Sequence, residues 1–306
     1  MTEKLKAKPL TESQRRVIEA YRVLMEQKGQ SLREAARPLR VAGSTLSQVL
    51  SGSYAGNVGA ICSRMGKYLA REKRRKSAPG RPPFCRTSVA LDVLDICRDA
   101  HALRLPVLIT GASGSGRTVA LKEYCRQEPA TIYVAAGPYA RPKALLDVMA
   151  AALEIEAGSG IHRLRGLIAQ TLEDADRLVI VDEIDYVGEY TLQTLRMLAD
   201  AAHCGIVYCG TRAFLEKLRR RRSATIEQFL NRLAFAHDCP PLADEDMDML
   251  LAASPLDARC REIARMMAAG CARRLVNGML LARRMAGEGE LTAQVVQRAF
   301  KRLLKG

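Results

Sequence analysis

The 306-residue sequence has no run of about 18 apolar residues, so nothing in it suggests a membrane-crossing helix. Its first residues, MTEKLKAKPLTESQRR, lack an apolar signal core and give no reason to expect export. Nine cysteines (Cys62, Cys85, Cys97, Cys125, Cys204, Cys209, Cys239, Cys260 and Cys271) form no C-x-x-C pair and are odd in number. That argues against a disulfide framework and a zinc site, and for a reducing cytoplasm in which cysteine acts as a small hydrophobe. With four histidines, imidazole metal chemistry has little to work with. No fixed-period repeat or low-complexity tract is visible. Acidic residues are also short, 33 against 48 Lys and Arg, leaving a formal charge of +15. A charge of that size favours a polyanionic partner, nucleic acid or an acidic membrane surface; a generally basic surface is the plain alternative.

The length exceeds that of one typical domain. Residues 11–28 carry Val17, Ala20, Tyr21 and Leu24 at helical spacing, with Gly29 as the stop. The next stretch, SLREAARPLRVAGSTLSQVLSGSY, reads as two short helices joined by a tight turn that Gly43 permits. A further helix is expected at about 60–72, followed by the basic, then Pro/Gly-rich stretch REKRRKSAPGRPP. A helix at 88–102 precedes the strand candidates PVLIT, TIYVAA, LVIVDE and GIVYCG, which alternate with helical patterns as a parallel α/β sheet requires. After about 240 only helices rich in Leu, Met, Ala and Arg remain. The expected organisation is residues 1–72 as a helix-turn-helix domain, 73–86 as a linker, 87–240 as a nucleotide-binding core and 241–306 as a small helical domain.

Gly111-Ala112-Ser113-Gly114-Ser115-Gly116-Arg117-Thr118, with Val119 beyond it, lies between a strand and a helix, the context of a phosphate loop. Glycines let backbone N–H groups wrap phosphates, and the helix N-terminus adds favourable partial charge. Thr118 stands where a hydroxyl coordinates Mg²⁺. The usual lysine is Arg117, which is bulkier and planar, so ATP binding should survive better than turnover. LVIVDE ends in paired carboxylates: Asp182 for the Mg²⁺ shell and Glu183 as the base that polarises water. Thr211, after GIVYCG, is placed to touch the γ-phosphate or the attacking water, or simply ends a strand. Arg232, after the apolar helix IEQFL, could point into a neighbouring subunit's nucleotide. Arg273, starting a later helix, could lie over the nucleotide. A solvated role is the alternative for both arginines.

In the two-helix stretch Ala35, Ala36, Val41, Leu46, Val49 and Leu50 fit the inside, leaving Ser44, Thr45, Ser47 and Gln48 outward with Arg40 nearby. These suit a major-groove helix, or else a protein-interaction hairpin. Arg141, Lys143, His162, Arg163 and Arg165 lie where a ring interior could meet DNA. The runs at 71–76 and 217–222 could grip phosphates or stand as solvated surface.

These motifs together resemble the AAA+ target-selection ATPases of DNA transposition, the family of the Mu-like B proteins. The resemblance spans nearly the whole chain and is most specific in SLREAARPLRVAGSTLSQVLSG, residues 84–118, LVIVDEIDYVG and GCARRLVN. It implies an α/β AAA+ P-loop core with an N-terminal helix-turn-helix and a small C-terminal helical domain. It also implies an ATP- and Mg²⁺-dependent ATPase that forms filaments or rings on double-stranded DNA and delivers that DNA to a transposase. By the same resemblance Arg232 is the trans-acting arginine finger, Arg273 the sensor-2 arginine and Thr211 the sensor-1 residue, a position typically Asn in the family. A helicase-loader-type replication ATPase and a nucleotide-switched DNA-binding regulator with little hydrolysis are the competing readings.

Overall fold

The computed structural model describes residues 9–76 (side chains to 73), 80–138, 140–156, 160–221, 223–252, 254–287 and 289–303. The chain divides into two compact units, residues 1–79 and 80–306.

In the first unit, helix α1 (Glu12–Gln27) begins at a capping box: the Thr11 hydroxyl accepts from Gln14 N–H, and the Gln14 side chain accepts from Thr11 N–H. Ser31 and Glu34 repeat the device for α2 (Leu32–Ala36). Each such cap is worth about 1 kcal/mol. A 3-10 turn (Arg37–Leu39) leads to α3 (Gly43–Ser51), and α4 (Val58–Lys76) follows. The chain reverses at Arg40, which takes a left-handed φ of 52°. Gly43 is therefore not the turn residue; it is the first residue of α3. Arg64 on α4 secures the turn, its guanidinium donating to the Leu39 carbonyl at 2.7 Å. Ile18, Tyr21, Ala35, Ala36, Leu39, Leu46, Val49, Ile61 and Met65 close the core. Helix α4 also runs on through 73–76, into the stretch expected as linker.

The second unit is built on a parallel five-stranded sheet in the order β2-β3-β4-β1-β5. Its strands are β1 (Pro106–Gly111), β2 (Thr131–Ala135), β3 (Leu178–Asp182), β4 (Gly205–Cys209) and β5 (Phe235–Cys239). Four match the apolar runs of the sequence. The fifth, FAHDC, pairs with β1 from Val107↔Phe235 to Gly111↔Cys239 at the sheet edge. Only its last residue is buried, so it carries no apolar signal.

Alternation along the inner strands sorts side chains into two layers. Val107, Ile109, Leu178, Ile180, Val207 and Cys209 face α5 (Ser88–Ala102), α6 (Arg117–Gln127) and the C-terminal helices. Leu108, Val179, Val181, Ile206 and Tyr208 face the other layer: α7 (Pro142–Ala152), α8 (Ile161–Glu173), α9 (Glu189–Ala202), α10 (Arg212–Arg220) and α11 (Ala224–Leu230). Burying each such aliphatic side chain contributes about 1.5–3 kcal/mol. The last helices are α12 (Asp244–Leu251), α13 (Ala258–Ala268), α14 (Ala272–Ala286) and α15 (Ala293–Lys301). Their apolar faces, with Leu275, Met279 and Phe300, join the same core as α5 and α6. Asp246 on α12 is buried and holds the start of α5, accepting from Ser88 N–H at 2.7 Å and Ser88 O–H at 2.5 Å. No helix among the described residues is long and apolar enough to cross a membrane.

Candidate phosphate site

Because the strands are parallel, β1, β3, β4 and β5 all end at one edge of the sheet, and the chemistry-bearing residues gather there. The loop from Gly111 to Gly116 leaves β1 and turns into α6. Gly111 and Gly114 have φ of 152° and 84°, conformations that side chains rarely adopt. A Cβ on Gly111 would strike the Arg117 guanidinium and the Cys239 carbonyl; one on Gly114 would lie 2.6 Å from Cys271 Sγ.

Arg117 is 8% exposed and folds back into this loop. Its Nη1 donates to the Ala112 carbonyl and the Ser115 hydroxyl, each at 2.9 Å. Its Nε is buried without a hydrogen-bond partner among the described residues. One residue on, the Thr118 hydroxyl donates to Asp182 Oδ2 at 2.8 Å. Asp182, 3% exposed at the end of β3, also accepts from the Tyr133 hydroxyl and from Glu183 N–H, each at 2.8 Å. Burial and the neighbouring Asp182 carboxylate push the Tyr133 phenol up, so it stays a donor at neutral pH. Burial likewise raises the Cys209 thiol, which also lies near Asp182 and Arg117. Glu183 is exposed in a left-handed conformation, φ 58°, strain of the kind found at functional sites.

The hydroxyl of Thr211 has both its capacities in use: it donates to Asp185 and accepts from Phe214 N–H at 3.2 Å as the cap of α10. Next to it, Arg212 bonds Asp238 on β5 through Nε at 2.8 Å. Asp238 also accepts from Thr110, the residue before the loop, at 2.9 Å. Arg212 above all, with burial opposing, holds the Asp238 carboxyl below the usual range.

The start of α14 rests on the loop. Arg273 N–H donates to the Gly114 carbonyl at 3.1 Å, and its Nη1 reaches Ser113 Oγ at 3.3 Å. Cys271 Sγ sits against the Ser113 carbonyl at 3.7 Å. Arg273 is therefore brought to the loop, whereas Arg232 is not. Arg232 lies between α11 and β5, beside Pro106 at the start of β1, with Nε 3.3 Å from Asp200. Five strand residues, about 17 Å at 3.3 Å each, separate that edge from Gly111.

The donor set fits a magnesium nucleotide. The positive-φ glycines let the loop turn tightly from β1 into α6, a buried guanidinium nitrogen in it lacks a partner among the described residues, and a hydroxyl and a buried carboxylate meet beside it. Tyr133, Asp185, Asp238 and Cys271 join the site without having been expected in it from the sequence. Asp185, two residues after Glu183 in DEID, and Cys271, two before Arg273 in GCARRLVN, stood within motifs.

The other basic candidates have varied fates. Arg141 and Arg163 are exposed; Lys143 pairs with Asp147 at 2.5 Å. Arg165 is half-buried, with Nη1 3.3 Å from Met197 Sδ. In the 217–222 run, Lys217 to Arg220 close α10, Arg221 just after it bonds Glu189 at 2.9 Å, and Arg222 lies outside the described residues. On α3, Ser44 and Gln48 are exposed and Thr45 is half-buried.

Residues 101–218 match the AAA domain family. The glycine loop after β1, the acidic end of β3 and the strand order define an AAA+ P-loop fold, whose architecture supports nucleotide binding and hydrolysis and implies use of ATP and Mg²⁺. The chain is 26% identical over 183 residues to the Mu-like prophage FluMu DNA transposition protein B of Haemophilus influenzae, covering 58% of this chain and 63% of that one. It thus spans less than two thirds of that relative's length. It is 22% identical over 221 residues to the ATP-dependent target DNA activator B of Escherichia phage Mu, covering 70% and 69%. Among solved structures, the Walker-type ATPase of Pyrococcus abyssi is similar, at 16% identity and TM-score 0.49 over 74% of each chain. Domain III of the Thermotoga maritima replication initiation protein DnaA is similar at 16% identity and TM-score 0.48, over 69% of this chain and 89% of that one. The AAA+ domain of this chain is related to the transposition B proteins of Mu-like phages.

Proposed function

We propose that this chain is an ATPase that assembles as a filament or ring on double-stranded DNA, delivers that DNA as a target and activates a transposase. The observation that carries the reading is the separation of Arg232 from the chain's own phosphate loop by the length of β1. An arginine so placed serves a nucleotide only in a neighbouring copy, which makes assembly and nucleotide binding one event. The names of the relatives supply the rest: one is a DNA transposition protein, another an ATP-dependent activator of target DNA.

In this reading Gly111 to Val119 hold the phosphates through backbone N–H groups. Thr118 and Asp182 hold Mg²⁺, and Glu183 takes the proton of the attacking water. Bound ATP supplies the phosphoanhydride bond whose cleavage resets the assembly. Arg273 reads the bound state from α14. Thr211 caps α10 and orders the end of β4 from which water would be positioned. Helices α2 and α3 support a helix-turn-helix, with Ser44, Thr45 and Gln48 toward a groove and Arg40 at the turn. Arg141, Lys143, Arg163 and Arg165 are the candidates for backbone phosphate contact. A second reading, a regulator switched by nucleotide with little turnover, draws support from the Arg117 guanidinium, which is engaged within the loop itself.

Anisotropy titration of a labelled duplex tests both. Tighter binding with ATP and Mg²⁺ than with ADP is expected, with turnover abolished by Glu183→Gln. Equal affinity in all nucleotide states would overturn the proposal; nucleotide-dependent affinity without turnover in the wild type would favour the second reading.

A further inference from the structure

The end of the sheet opposite the phosphate loop carries a charged cluster around Arg232. Asp200, near the end of α9, accepts from Arg196 Nη1 at 2.8 Å, one helical turn earlier, and lies 3.3 Å from Arg232 Nε. The two arginines differ in exposure. The Arg196 side chain is 16% exposed and lines a small hollow with Pro106, Tyr208, Phe229 and Leu233, its Nε buried without a partner among the described residues. The Arg232 side chain is 60% exposed.

An exposed arginine loses about 2 kcal/mol of side-chain entropy when it is fixed. A surface ion pair is worth about 0.2–1 kcal/mol. The Asp200–Arg232 pair is thus too weak to matter to the fold, but it is large enough to bias where one flexible side chain points. Its geometry suits that task. Asp200 engages Nε and leaves the paired Nη groups available for the fork by which arginine holds a tetrahedral oxyanion. Arg196 cannot take that role itself, because packing holds its stem in the hollow.

We propose that Asp200, braced by Arg196, is a positioning residue that pre-orients Arg232 toward the γ-phosphate bound by a neighbouring copy. Part of the ordering cost of the interface is thereby met before the copies meet. The inference rests on the trans reading of Arg232. It makes assembly sensitive to a carboxylate that never touches nucleotide.

A double-mutant cycle on the full chain tests it. The readout is the protein concentration giving half-maximal co-sedimentation with duplex DNA in ATP and Mg²⁺. Asp200→Ala is expected to raise that concentration roughly three- to fivefold in the wild type, the equivalent of a surface pair. It should leave that concentration unchanged in the Arg232→Ala background, and Asp200→Glu should restore part of the loss. Fluorescent-nucleotide affinity of the protein without DNA, below its assembly concentration, should match the wild type for all variants; thermal melts should match it for Arg232→Ala, while Asp200→Ala, which strips the half-buried Arg196 of its carboxylate, should lower the melt equally in both backgrounds. An equal loss of assembly from Asp200→Ala in both backgrounds would mean a structural role and overturn the inference, as would tighter assembly, which would make Asp200 a latch. Wild-type assembly by Arg232→Ala would instead overturn the trans reading beneath it.

Discussion

The contact between α14 and the phosphate loop can be broken with one methyl group. Gly114 has φ 84°, and a Cβ there would lie 2.6 Å from Cys271 Sγ and 3.1 Å from Arg273 Cβ. Gly114→Ala therefore carries two costs of different origin. Holding alanine in a left-handed conformation costs about 1–2 kcal/mol. Forcing a methyl against a sulfur on a packed helix start costs about 1–3 kcal/mol. Together these are a large part of the 5–15 kcal/mol typical of a domain. Relief comes most easily by moving residues 271–273 off the loop, which breaks the Arg273 N–H bond to the Gly114 carbonyl. The expected outcome is a drop in stability of about 2–5 kcal/mol by urea unfolding monitored by circular dichroism, with weaker binding of a fluorescent ATP analogue. Cys271→Ala in the same chain should return the steric part and leave the backbone part. A Gly114→Ala protein with wild-type stability and affinity would refute the reasoning. So would a double variant no better than the single one.

Three more changes probe separate parts of the unit. Arg117→Lys replaces a planar fork with a compact charge, and turnover is expected to rise on the order of tenfold in a coupled phosphate-release assay. Asp246→Ala leaves the Ser88 N–H and hydroxyl without their acceptor; a loss of about 2–4 kcal/mol is expected in urea unfolding. The Arg212 pair and the Thr110 hydroxyl depress the folded-state Asp238 carboxyl below its unfolded value. The stability this residue adds is therefore complete above the ordinary carboxylate range and is lost as pH falls through the depressed value. Acid unfolding should show Asp238→Asn destabilised at neutral pH and converging on the wild type in strong acid.

The parts of this architecture that could be read from sequence are those with dense local signals. The loop GASGSGRT places its glycines at fixed spacing, the run LVIVDE ends an apolar strand in two carboxylates, and the helix at 88–102 joins an apolar period to the Thr87 cap, each within one short window. Strand β5 had no such signal, because an edge strand with one buried residue needs no apolar run. The turn before α3 was assigned to Gly43 because glycine is the usual carrier of positive φ. The structure uses Arg40 instead, secured by an arginine 24 residues away. Tyr133 and Asp238 reach the phosphate site only through the register of neighbouring strands, and Cys271 through packing of α14. Such long-range placement leaves no mark in any single segment.

Electron microscopy of negatively stained protein with duplex DNA, with and without ATP and Mg²⁺, tests the central claim most directly. Continuous assemblies are expected on DNA with nucleotide and none without it, and at the same protein concentration Arg232→Ala should lose them, assembling only at higher concentration. Discrete particles in both conditions, or assemblies indifferent to nucleotide, would contradict it.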